Sequence, residues 1–538
     1  MAKPKARPVS DEFLSRVSQS VAFRHWLNHP EQAPAPLDDR FAGLRQEIQA
    51  GASGQLGALN NPGGVASEIK DLFNRDVFGL PQNEESVSAC MDRRDVVIGG
   101  TNDYRGLLDP QQSLTGWHLS TDGGRTLETE GLLPPVEIAG TQVPSGGDPI
   151  MVAGPDCTLY AASLNYDPGP DSFALPNGIG VYRTDVETLR DCDGGSDPAC
   201  WPTRRAVSMA NTPPPDPEAG DDLVFLDKEW MDVGHSGDAG TVMWVAYAEF
   251  TFPTDPLVEV PFTASIKAVR CNADLSSCTD PILISGDDTD VEFADVTIAE
   301  DGRTYITGSE VTGELEGEPQ TFIHKLRVAQ PGSTDFGRER IAAVEGEAIP
   351  FGGTLNANDF RVATYPKNAV RDVGDDNRVY VVWDACSERV IGENVCEEPV
   401  IKLVWSDDDG RNWTSEQIIS KDGENYFPTI ADDPKGNRLA VAYFTNRHDE
   451  NFDHRQDVEL VSLRPNGTVA KRKRLTRPSN EPNADPFLGG FFIGDYIEVD
   501  VVVGRVYTHF NANYRRIEAL GEGIPVPQQD NFLDRRHL

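Results

Sequence analysis

The sequence predicts an all-β protein made of repeated sheets, and three observations lead to this fold class. The 538 residues include 49 Gly and 39 Pro among short apolar runs, a composition typical of turn-rich β proteins. A short strand-like run recurs along the chain from residue 83 onward. Two stretches also carry the residues of one tight hairpin turn.

The clearer hairpin lies late in the chain. Ile401, Leu403 and Trp405 recur at every second position, as side chains on one face of a strand do. Ser406 and Asp408 offer side-chain oxygens that accept backbone N–H groups in a tight turn, and Gly410 permits a positive φ. Trp413 then returns the chain to the apolar side, so we expect two strands to meet here.

A second copy of this turn has Ser120, Asp122 and Gly124 at the same spacing, with Leu127 in the place of Trp413. The spacing Ser-x-Asp-x-Gly-x-x-Trp resembles the Asp-box, or BNR repeat, of the sialidase-like β-propeller superfamily. Three further stretches, Asn83–Arg105, Asp227–Trp230 and Gly494–Tyr496, resemble stretches of uncharacterised bacterial sialidase-like proteins, which extends the resemblance to most of residues 83–535. The resemblance implies a structural turn at the outer edge of a blade, so it bears on fold and not on chemistry.

The recurring strand predicts the number of sheets. Its starts lie about 60 to 84 residues apart, which suits one four-stranded blade plus loops. The runs begin at residues 95, 158, 241, 303, 378, 438 and 505. We therefore predict a seven-bladed β-propeller with four-stranded antiparallel blades; six blades, as in true sialidases, is the alternative. A late strand over Gly523–Leu533 would let the C-terminal region pair with the segment near residue 80.

The first eighty residues differ from the rest, and we divide the chain into a helical N-terminal extension (1–80) and the propeller (81–538). Apolar residues at helical spacing predict three helices. Their stripes are Phe13, Leu14, Val17 and Val21; Phe41, Leu44 and Ile48; and Val65, Ile69 and Leu72. These helices either pack onto one face of the propeller or form an arm that docks a partner.

The formal net charge of −39 limits the partners. Nucleic acid and anionic membranes would repel so acidic a protein, whereas cationic ligands or calcium would suit it. Gly286–Asp290 offers oxygen ligands for calcium without the ordered spacing of an EF-hand loop. We therefore predict no required cofactor and no metal site, with calcium as an option. No apolar run is long enough for a membrane span.

The eight cysteines predict disulfides. Three close pairs lie in loop-like sequence, and two cysteines remain as a fourth pair: Cys192 with Cys200, Cys271 with Cys278, Cys386 with Cys396, and Cys90 with Cys157. Disulfides imply an oxidising compartment, so we expect an extracellular protein. Against this, Met1–Pro8 is charged without a following apolar stretch. A missing leader, unconventional export and a cytoplasmic location all stay open.

Candidate site residues come from the starts of the inner strands, which gather at the channel of a propeller. The resemblance implies, for sialidase activity, three arginines, a Tyr–Glu nucleophile pair and an aspartic acid. The early Phe/Tyr-Arg-Ile-Pro motif is missing, and the nearest string runs from Phe360 to Pro366. By position, Asp103 is the acid candidate, and Tyr496 with Glu229 the nucleophile pair. Substrate-binding candidates are Arg105, Asp227, Lys228, Arg361 and Asp495; Arg94 could add a cation.

Two functions compete at this stage. The first is a glycan-recognising sialidase-like propeller, with exo-glycosidase activity of the sialidase type as its enzymatic form. The alternative is a non-catalytic propeller that binds or scaffolds a protein. A glycosidase should hold two carboxyls, or a tyrosine and a carboxylate, beside an open pocket. A scaffold should have inner-strand charges tied to one another and N-terminal helices that plug or extend a face.

Overall fold

The computed structural model describes most of the chain. Described residues are 9–34, 45, 71–76 and 79–538, with gaps at 171, 193, 217–219, 254–261, 287, 289, 314–319, 375, 389–394, 486, 489 and 519–524. The predicted second helix and most of the third, with Phe41, Leu44, Ile48, Val65 and Ile69, lie outside the described residues.

The first three large sheets are antiparallel and four-stranded, each in chain order from the inside outward. Sheet 1 consists of β1 (Gln82–Ala89), β2 (Val97–Asp103), β3 (Thr115–Ser120) and β4 (Thr129–Leu132). A small hairpin, β5 (Val136–Ile138) and β6 (Thr141–Val143), follows. Sheet 2 consists of β7 (Ser145–Ala153), β8 (Leu159–Tyr166), β9 (Asn177–Thr184) and β10 (Thr203–Ala210). Sheet 3 consists of β11 (Leu223–His235), β12 (Thr241–Phe252), β13 (Thr263–Asn272) and β14 (Ile282–Leu283).

Sheets 4 to 6 repeat this order, and sheet 7 has three strands. Sheet 4 consists of β15 (Val291–Ile298), β16 (Thr304–Thr312), β17 (Thr321–Ala329) and β18 (Arg340–Glu345). Sheet 5 consists of β21 (Lys367–Asp372), β22 (Asn377–Cys386), β24 (Pro399–Ser406) and β25 (Gln417–Ile418). Sheet 6 consists of β26 (Asn425–Asp432), β27 (Leu439–Thr445), β28 (Asp457–Leu463) and β29 (Val469–Arg474). Sheet 7 consists of β30 (Glu498–Val502), β31 (Arg505–Glu518) and β32 (Pro525–His537).

Short elements complete the description. β19 (Gly353–Leu355), β20 (Arg361–Val362) and β23 (Val395–Cys396) form a small sheet beside sheet 5. Among the described residues, the α-helices with given bounds are α1 (Asp11–Arg16), α2 (Gln19–Asn28) and α3 (Val186–Arg190). Single 3₁₀ turns span Pro30–Gln32, Tyr104–Leu108, Ser172–Ala174, Gly237–Ala239 and Pro482–Ala484.

The inner strands close a ring. β1 contacts β7, and the contacts continue through β11, β15, β21, β26 and β30, which returns to β1. The fold is therefore an all-β propeller with a central channel, and the seven repeated runs of the sequence are the second strands of seven successive sheets. These seven sheets are formed by the residues that the structure describes. The number of blades stays a prediction.

Sheet 7 receives a fourth segment from near the N-terminus, which pairs with the C-terminal strand β32. Phe73 donates its N–H to the carbonyl of Asn531 at 3.0 Å, and Leu533 donates to the carbonyl of Asp71 at 2.8 Å. Leu72 thus pairs with Phe532 in sheet 7 instead of ending a helix. The predicted late strand is present as β32, and the pairing lies near residue 72 rather than residue 80.

Neighbouring sheets are joined by inner-strand carboxylates. Asp232 accepts the N–H of Ile298 at 2.7 Å, and Asp500 accepts the N–H of Ala89 at 2.7 Å. Glu498 accepts from Val87 at 2.6 Å in the same way. Each bond runs from one sheet to its neighbour, so part of the acidic character of the inner strands is structural.

The two predicted turns share one hydrogen-bonding pattern. Gly410 donates its N–H to Ser406 Oγ at 2.8 Å, and Asn412 donates to Asp408 Oδ1 at 2.8 Å. Gly410 has a φ of +88°, the conformation that its position was expected to require. The copy around Ser120 has the equivalent bonds, from the N–H groups of residues 124, 125 and 126. Both turns connect the third strand of a sheet to the fourth.

Replacing Asp408 by Ala should lower the free energy of unfolding by about 1 kcal/mol, because the turn loses its acceptor while its donors stay accessible to water. Asp407→Ala is the matched control, since Asp407 is 60% exposed and pairs only at the surface with Arg378. Chemical denaturation of both variants measures the difference. Equal stability of the two variants would mean that this turn does not depend on the Asp408 acceptor.

The structure contains four disulfides, and they are the four predicted pairs: Cys90–Cys157, Cys192–Cys200, Cys271–Cys278 and Cys386–Cys396. The prediction is confirmed. Cys90 and Cys157 join the β1–β2 turn to the β7–β8 turn, so this bridge links sheets 1 and 2.

Helices α1 and α2 pack onto the face of the propeller where the inner strands begin. Ser10 caps α1 by accepting the N–H of Phe13 at 3.2 Å. Phe13 is buried among five aromatic side chains of sheets 2 and 3 and their loops: Phe173, Phe225, Phe250, Phe252 and Phe262. Burying such a ring contributes about 3 kcal/mol or more relative to Ala. We call residues 9–34 the plug.

Candidate functional site

The channel opening under the plug is lined by bulged inner strands. Most first strands interrupt their pairing near their start, where a non-glycine residue has a positive φ. These residues are Glu84 (60°), Asp148 (53°), Lys228 (54°), Phe293 (60°) and Phe427 (50°). Such residues cost about 1–3 kcal/mol each and cluster at functional sites. The recurrence at one level of the ring marks this opening, which we call the channel mouth.

Six of the predicted site residues meet at the channel mouth. Asp227, Lys228 and Glu229 come from β11, and Arg361 from β20. Asp495 and Tyr496 lie just before β30. We expected Arg361 to lie at the start of an inner strand. This is wrong, because the inner strand of sheet 5 starts at Lys367. It reaches the mouth from the small sheet instead.

One ion-pair network organises the positive charges of the mouth. Arg361 donates from Nε to Asp495 Oδ1 at 3.0 Å and from Nη2 to Asp495 Oδ2 at 2.6 Å. Lys228 Nζ lies 3.4 Å from Asp495 Oδ2. Burial alone would raise the pKa of Asp495, but Arg361 and Lys228 hold that pKa below its ordinary value. Asp495 is therefore ionised at neutral pH.

The other carboxyls of the mouth behave in the opposite way. Burial, and then the charge of Asp148, raises the pKa of Asp227 to about 8. Burial first and Asp148 second also raise the pKa values of Glu84 and Glu229 well above their ordinary range. Asp227 therefore holds a proton at neutral pH, so the mouth combines a protonated carboxyl with the ionised Asp495.

Aromatic and aliphatic side chains line the rest of the mouth, around a cavity of about 40 Å³. Tyr496 and Trp230 meet edge to face with ring centroids 5.5 Å apart, and Lys367 lies over the Trp230 ring. The Tyr496 hydroxyl donates to the carbonyl of Pro149 at 3.3 Å. Among the contacts of the described residues, none is a hydrogen bond from Tyr496 to Glu229, the predicted nucleophile pair.

The plug enters the mouth at the break between α1 and α2, and we call Ser18–Ser20 the tip. The N–H of Ser18 donates to Asp227 Oδ2 at 2.7 Å, and its hydroxyl donates to Asp148. Gln19 Nε2 donates to Asp495 Oδ1 at 3.1 Å. Ser18 stands at the N-cap of α2 without capping it through its side chain, because its hydroxyl is used by the mouth.

Glycines make room for the tip. Gly147 has a φ of +126°, and a Cβ there would collide with Ser20. Gly494, with a φ of +91°, donates its N–H to Gln19 Oε1 at 3.0 Å. The backbone of the mouth is thus shaped around the tip.

Asp103 and Arg105 are not part of this cluster, and the proposed roles of acid and substrate cation do not fit their positions. Asn102 faces the mouth, where it donates to Glu84 Oε2 at 2.6 Å. Successive side chains of a strand point to opposite faces, so Asp103 points away. Arg105 binds Asp103 and also pairs with Glu130 at 3.1 Å. Arg94 lies at the far end of β1 and β2, beside Tyr507.

Several residues of the mouth carried no role in the sequence analysis. Arg16 of the plug lies 2.9 Å from buried Glu292 and also pairs with Asp290. Ser18 and Gln19 lie between the stripe residues Val17 and Val21, and the sequence analysis did not single them out. Their contacts join residues more than 100 positions apart in the sequence, and no local pattern encodes such contacts.

Within the part of the chain that is described, no group of three or more His, Cys, Asp or Glu residues is placed to hold a metal ion. In the predicted calcium stretch, Asp288 pairs with Lys325 and Asp290 with Arg16. None of the described helices is long and apolar enough to cross a membrane.

The opposite end of the channel is open. Its cavity of about 730 Å³ is lined by the second halves of the inner strands. Small residues such as Ala89, Gly234 and Ala431 widen it, and the carboxylates that join the sheets stand on its wall.

Comparisons with known proteins give no sequence relative. No known family model matches the chain, and no curated protein matches it. Solved structures do match. A protein of unknown function from Dyadobacter fermentans has a TM-score of 0.43 at 10% identity, over 87% of this chain and 98% of its own. An α-L-arabinofuranosidase from Fusarium graminearum has a TM-score of 0.42 at 12% identity, over 75% and 99%.

An intramolecular trans-sialidase from Ruminococcus gnavus has a TM-score of 0.39 at 11% identity, over 88% of this chain and 99% of its own. The similar structures include further sialidases and arabinanases. At these identities and scores they assign no activity, and the propeller fold stands on the sheets described above. In fold, the chain is similar to the sialidase-like β-propellers.

Proposed function

We propose that this protein recognises a glycan at the channel mouth and that the carboxyls there give it glycosidase activity. One observation carries the proposal: the mouth holds the hydroxyl and amide groups of the tip between carboxyls and aromatic rings that come from several sheets. Concave sites with aromatic walls and a few convergent polar groups are the usual form of small-ligand sites. A sugar presents hydroxyls and ring faces of the same kind.

The carboxyls supply the two protonation states that glycoside hydrolysis needs. Asp227, whose pKa burial and Asp148 raise to about 8, keeps a proton for the leaving oxygen. Asp495 is ionised and acts as base or nucleophile. Both already bind the tip, through Ser18 and Gln19, so both reach an occupant of the same space. Tyr496 keeps its predicted place as the alternative nucleophile.

The alternative function is a non-catalytic propeller that binds or scaffolds a protein. The observation that favours it is the plug itself, since the mouth is filled and Arg361 and Lys228 are tied to Asp495. We further propose an extracellular location, which the four disulfides support. Repulsion of nucleic acid by the acidic surface stays a prediction.

A screen against fluorogenic glycosides, including a sialoside, with and without calcium and beside a glycan array, tests the proposal. We expect turnover in a Gln19→Ala variant with a loosened tip, and a fall in kcat of about 10²–10⁴ when Asp227→Asn is added. The matched control is Asp407→Asn, which removes an exposed carboxylate. Array binding without turnover would leave a lectin-like propeller, and silence in both assays would favour the scaffold. Loss of turnover on Tyr496→Phe would make the tyrosine the nucleophile.

A further inference from the structure

The hydrogen bonds between tip and mouth have a direction. Three of them place a donor of the tip on a carboxyl of the mouth: the Ser18 N–H on Asp227, the Ser18 hydroxyl on Asp148, and the Gln19 amide on Asp495. Two run the other way, from the N–H of Gly494 to Gln19 and from the Tyr166 hydroxyl to the carbonyl of Ser20. The mouth therefore offers mainly acceptors, and its occupant supplies mainly donors.

The positive charges described at the mouth already have partners. Arg361 uses Nε and Nη2 on Asp495, and Nη1 and Nη2 on backbone carbonyls of the plug. Lys228 shares Asp495, and Lys367 lies over the Trp230 ring. Arg16 pairs with Glu292. An acidic ligand would find among these groups no cation without a carboxylate or aromatic partner.

Buried acids surround the same space. Asp227 is fully buried, and Glu84 and Glu229 are at most 2% exposed. A ligand carboxylate would lose its hydration in so buried a space, and the cations named above already have partners, so they do not offset that cost. An uncharged hydroxyl can donate to an ionised carboxylate or accept from a protonated one, so it suits both states of the cluster.

We infer that the channel mouth selects uncharged, hydroxyl-rich sugars and rejects sugars that carry a carboxylate, such as sialic acid. The tip is the internal occupant that such a sugar displaces. This inference rests on the proposed function, because it names the ligand class of the same site. It sets the chain apart from the sialidase activity that the resemblance implied.

The first experiment measures binding of matched neutral and sialylated oligosaccharides, for example lactose and 3′-sialyllactose within a larger array of such pairs. The full chain is compared with Gln19→Ala, which removes the tip's bonds to Asp495 and Gly494. The control is Asn28→Ala, which changes the same plug where Asn28 binds the Pro168 carbonyl outside the mouth. We expect Gln19→Ala to bind neutral members about tenfold tighter than the unchanged chain, and Asn28→Ala to bind like it.

The second experiment removes the counter-charge of Arg361 and Lys228 with Asp495→Asn in the Gln19→Ala background. Both cations then lose their carboxylate, so affinity for the sialylated members should rise about tenfold relative to the neutral ones. Hydrogen exchange of residues 9–34 checks that the plug is equally loosened in both backgrounds.

The outcomes separate the two proposals. Binding of sialylated but not neutral members by Gln19→Ala would overturn the inference and leave glycan recognition standing. Equal affinity of the unchanged chain and Gln19→Ala would show that the tip does not compete with sugars. If no glycan binds any variant, the proposed function itself fails, and this inference fails with it.

Discussion

Replacing Arg361 by Ala should lower the free energy of unfolding by about 3–5 kcal/mol and release the plug from the channel mouth. The variant leaves Asp495, whose side chain is only 16% exposed, with Lys228 at 3.4 Å and the Gln19 amide at 3.1 Å as its remaining partners. Removing one partner of a buried ion pair costs this much because the remaining charge stays desolvated. The plug also loses the donor to its carbonyls at Leu14, Ser15 and Val17. Chemical denaturation and hydrogen exchange of residues 9–34 measure the two effects.

The matched control for this experiment is Arg371→Ala. Arg371 pairs with Asp432 between sheets 5 and 6, far from the plug, and both arginine side chains are 11% exposed. We expect similar losses of stability but faster exchange of residues 9–34 only in Arg361→Ala. Unchanged exchange in Arg361→Ala would mean that apolar packing around Phe13 holds the plug without this network.

Much of the fold could be predicted because its signals are local. The run from Arg378 to Trp383 predicts a strand from its β-branched and aromatic residues, and Gly410 indicates its turn by the φ that only glycine adopts easily. The cysteine pairs other than Cys90 and Cys157 lie within ten residues of one another. Residues this close have few geometries to choose from, so spacing alone identifies the pairing.

The candidate site was only partly predictable. Asp227, Lys228 and Asp495 stand where inner strands begin, so the ring brings them together. Asp103 also lies at a strand end, but it is one residue beyond Asn102, which faces the mouth. Its side chain therefore points to the opposite face of the sheet. The positive φ at Lys228 was not foreseeable either, since nothing in its residue type favours that conformation.

The plug shows most clearly what sequence patterns leave out. The stripe of Phe13, Val17 and Val21 predicts an apolar helical face, and it does not say what covers that face. The two alternatives, helices that pack onto the propeller and an arm that docks a partner, use the same apolar residues. The contacts of the tip with Asp227 and Asp495 distinguish them, and these contacts join residues 209 and 476 positions apart.

The stability of the protein should fall as the pH rises from about 6.5 to about 8. Burial first of all raises the pKa of Asp227, Glu498 and Asp530 to about 8. The folded state therefore binds protons that the unfolded state has released, and stability present at low pH is lost as the pH passes the folded pKa. Each such carboxyl contributes up to about 1.4 kcal/mol per pH unit. Denaturant unfolding at several pH values measures this slope.

The buried histidines and Lys367 change the stability in the opposite direction, but only outside the range from about pH 6.5 to about pH 8. Burial lowers the pKa of three histidines to about 3, so they cost stability as the pH falls below about 6.5: His118, His324 and His509. Burial lowers the pKa of Lys367 to about 8, so its cost to the folded state is relieved as the pH rises above about 8. Between these limits the carboxyls dominate, and the slope has one sign.

A substitution and a salt series separate the buried carboxyls from general repulsion in a chain of net charge −39. Glu498→Gln keeps an acceptor for the N–H of Val87 and removes the titration, so its slope between pH 6.5 and 8 should be flatter than that of the unchanged chain. Added salt screens surface charges but acts weakly on buried ones, so the slope should persist in about 0.5 M salt. A slope that disappears with salt and is unchanged in Glu498→Gln would assign the pH dependence to the surface instead.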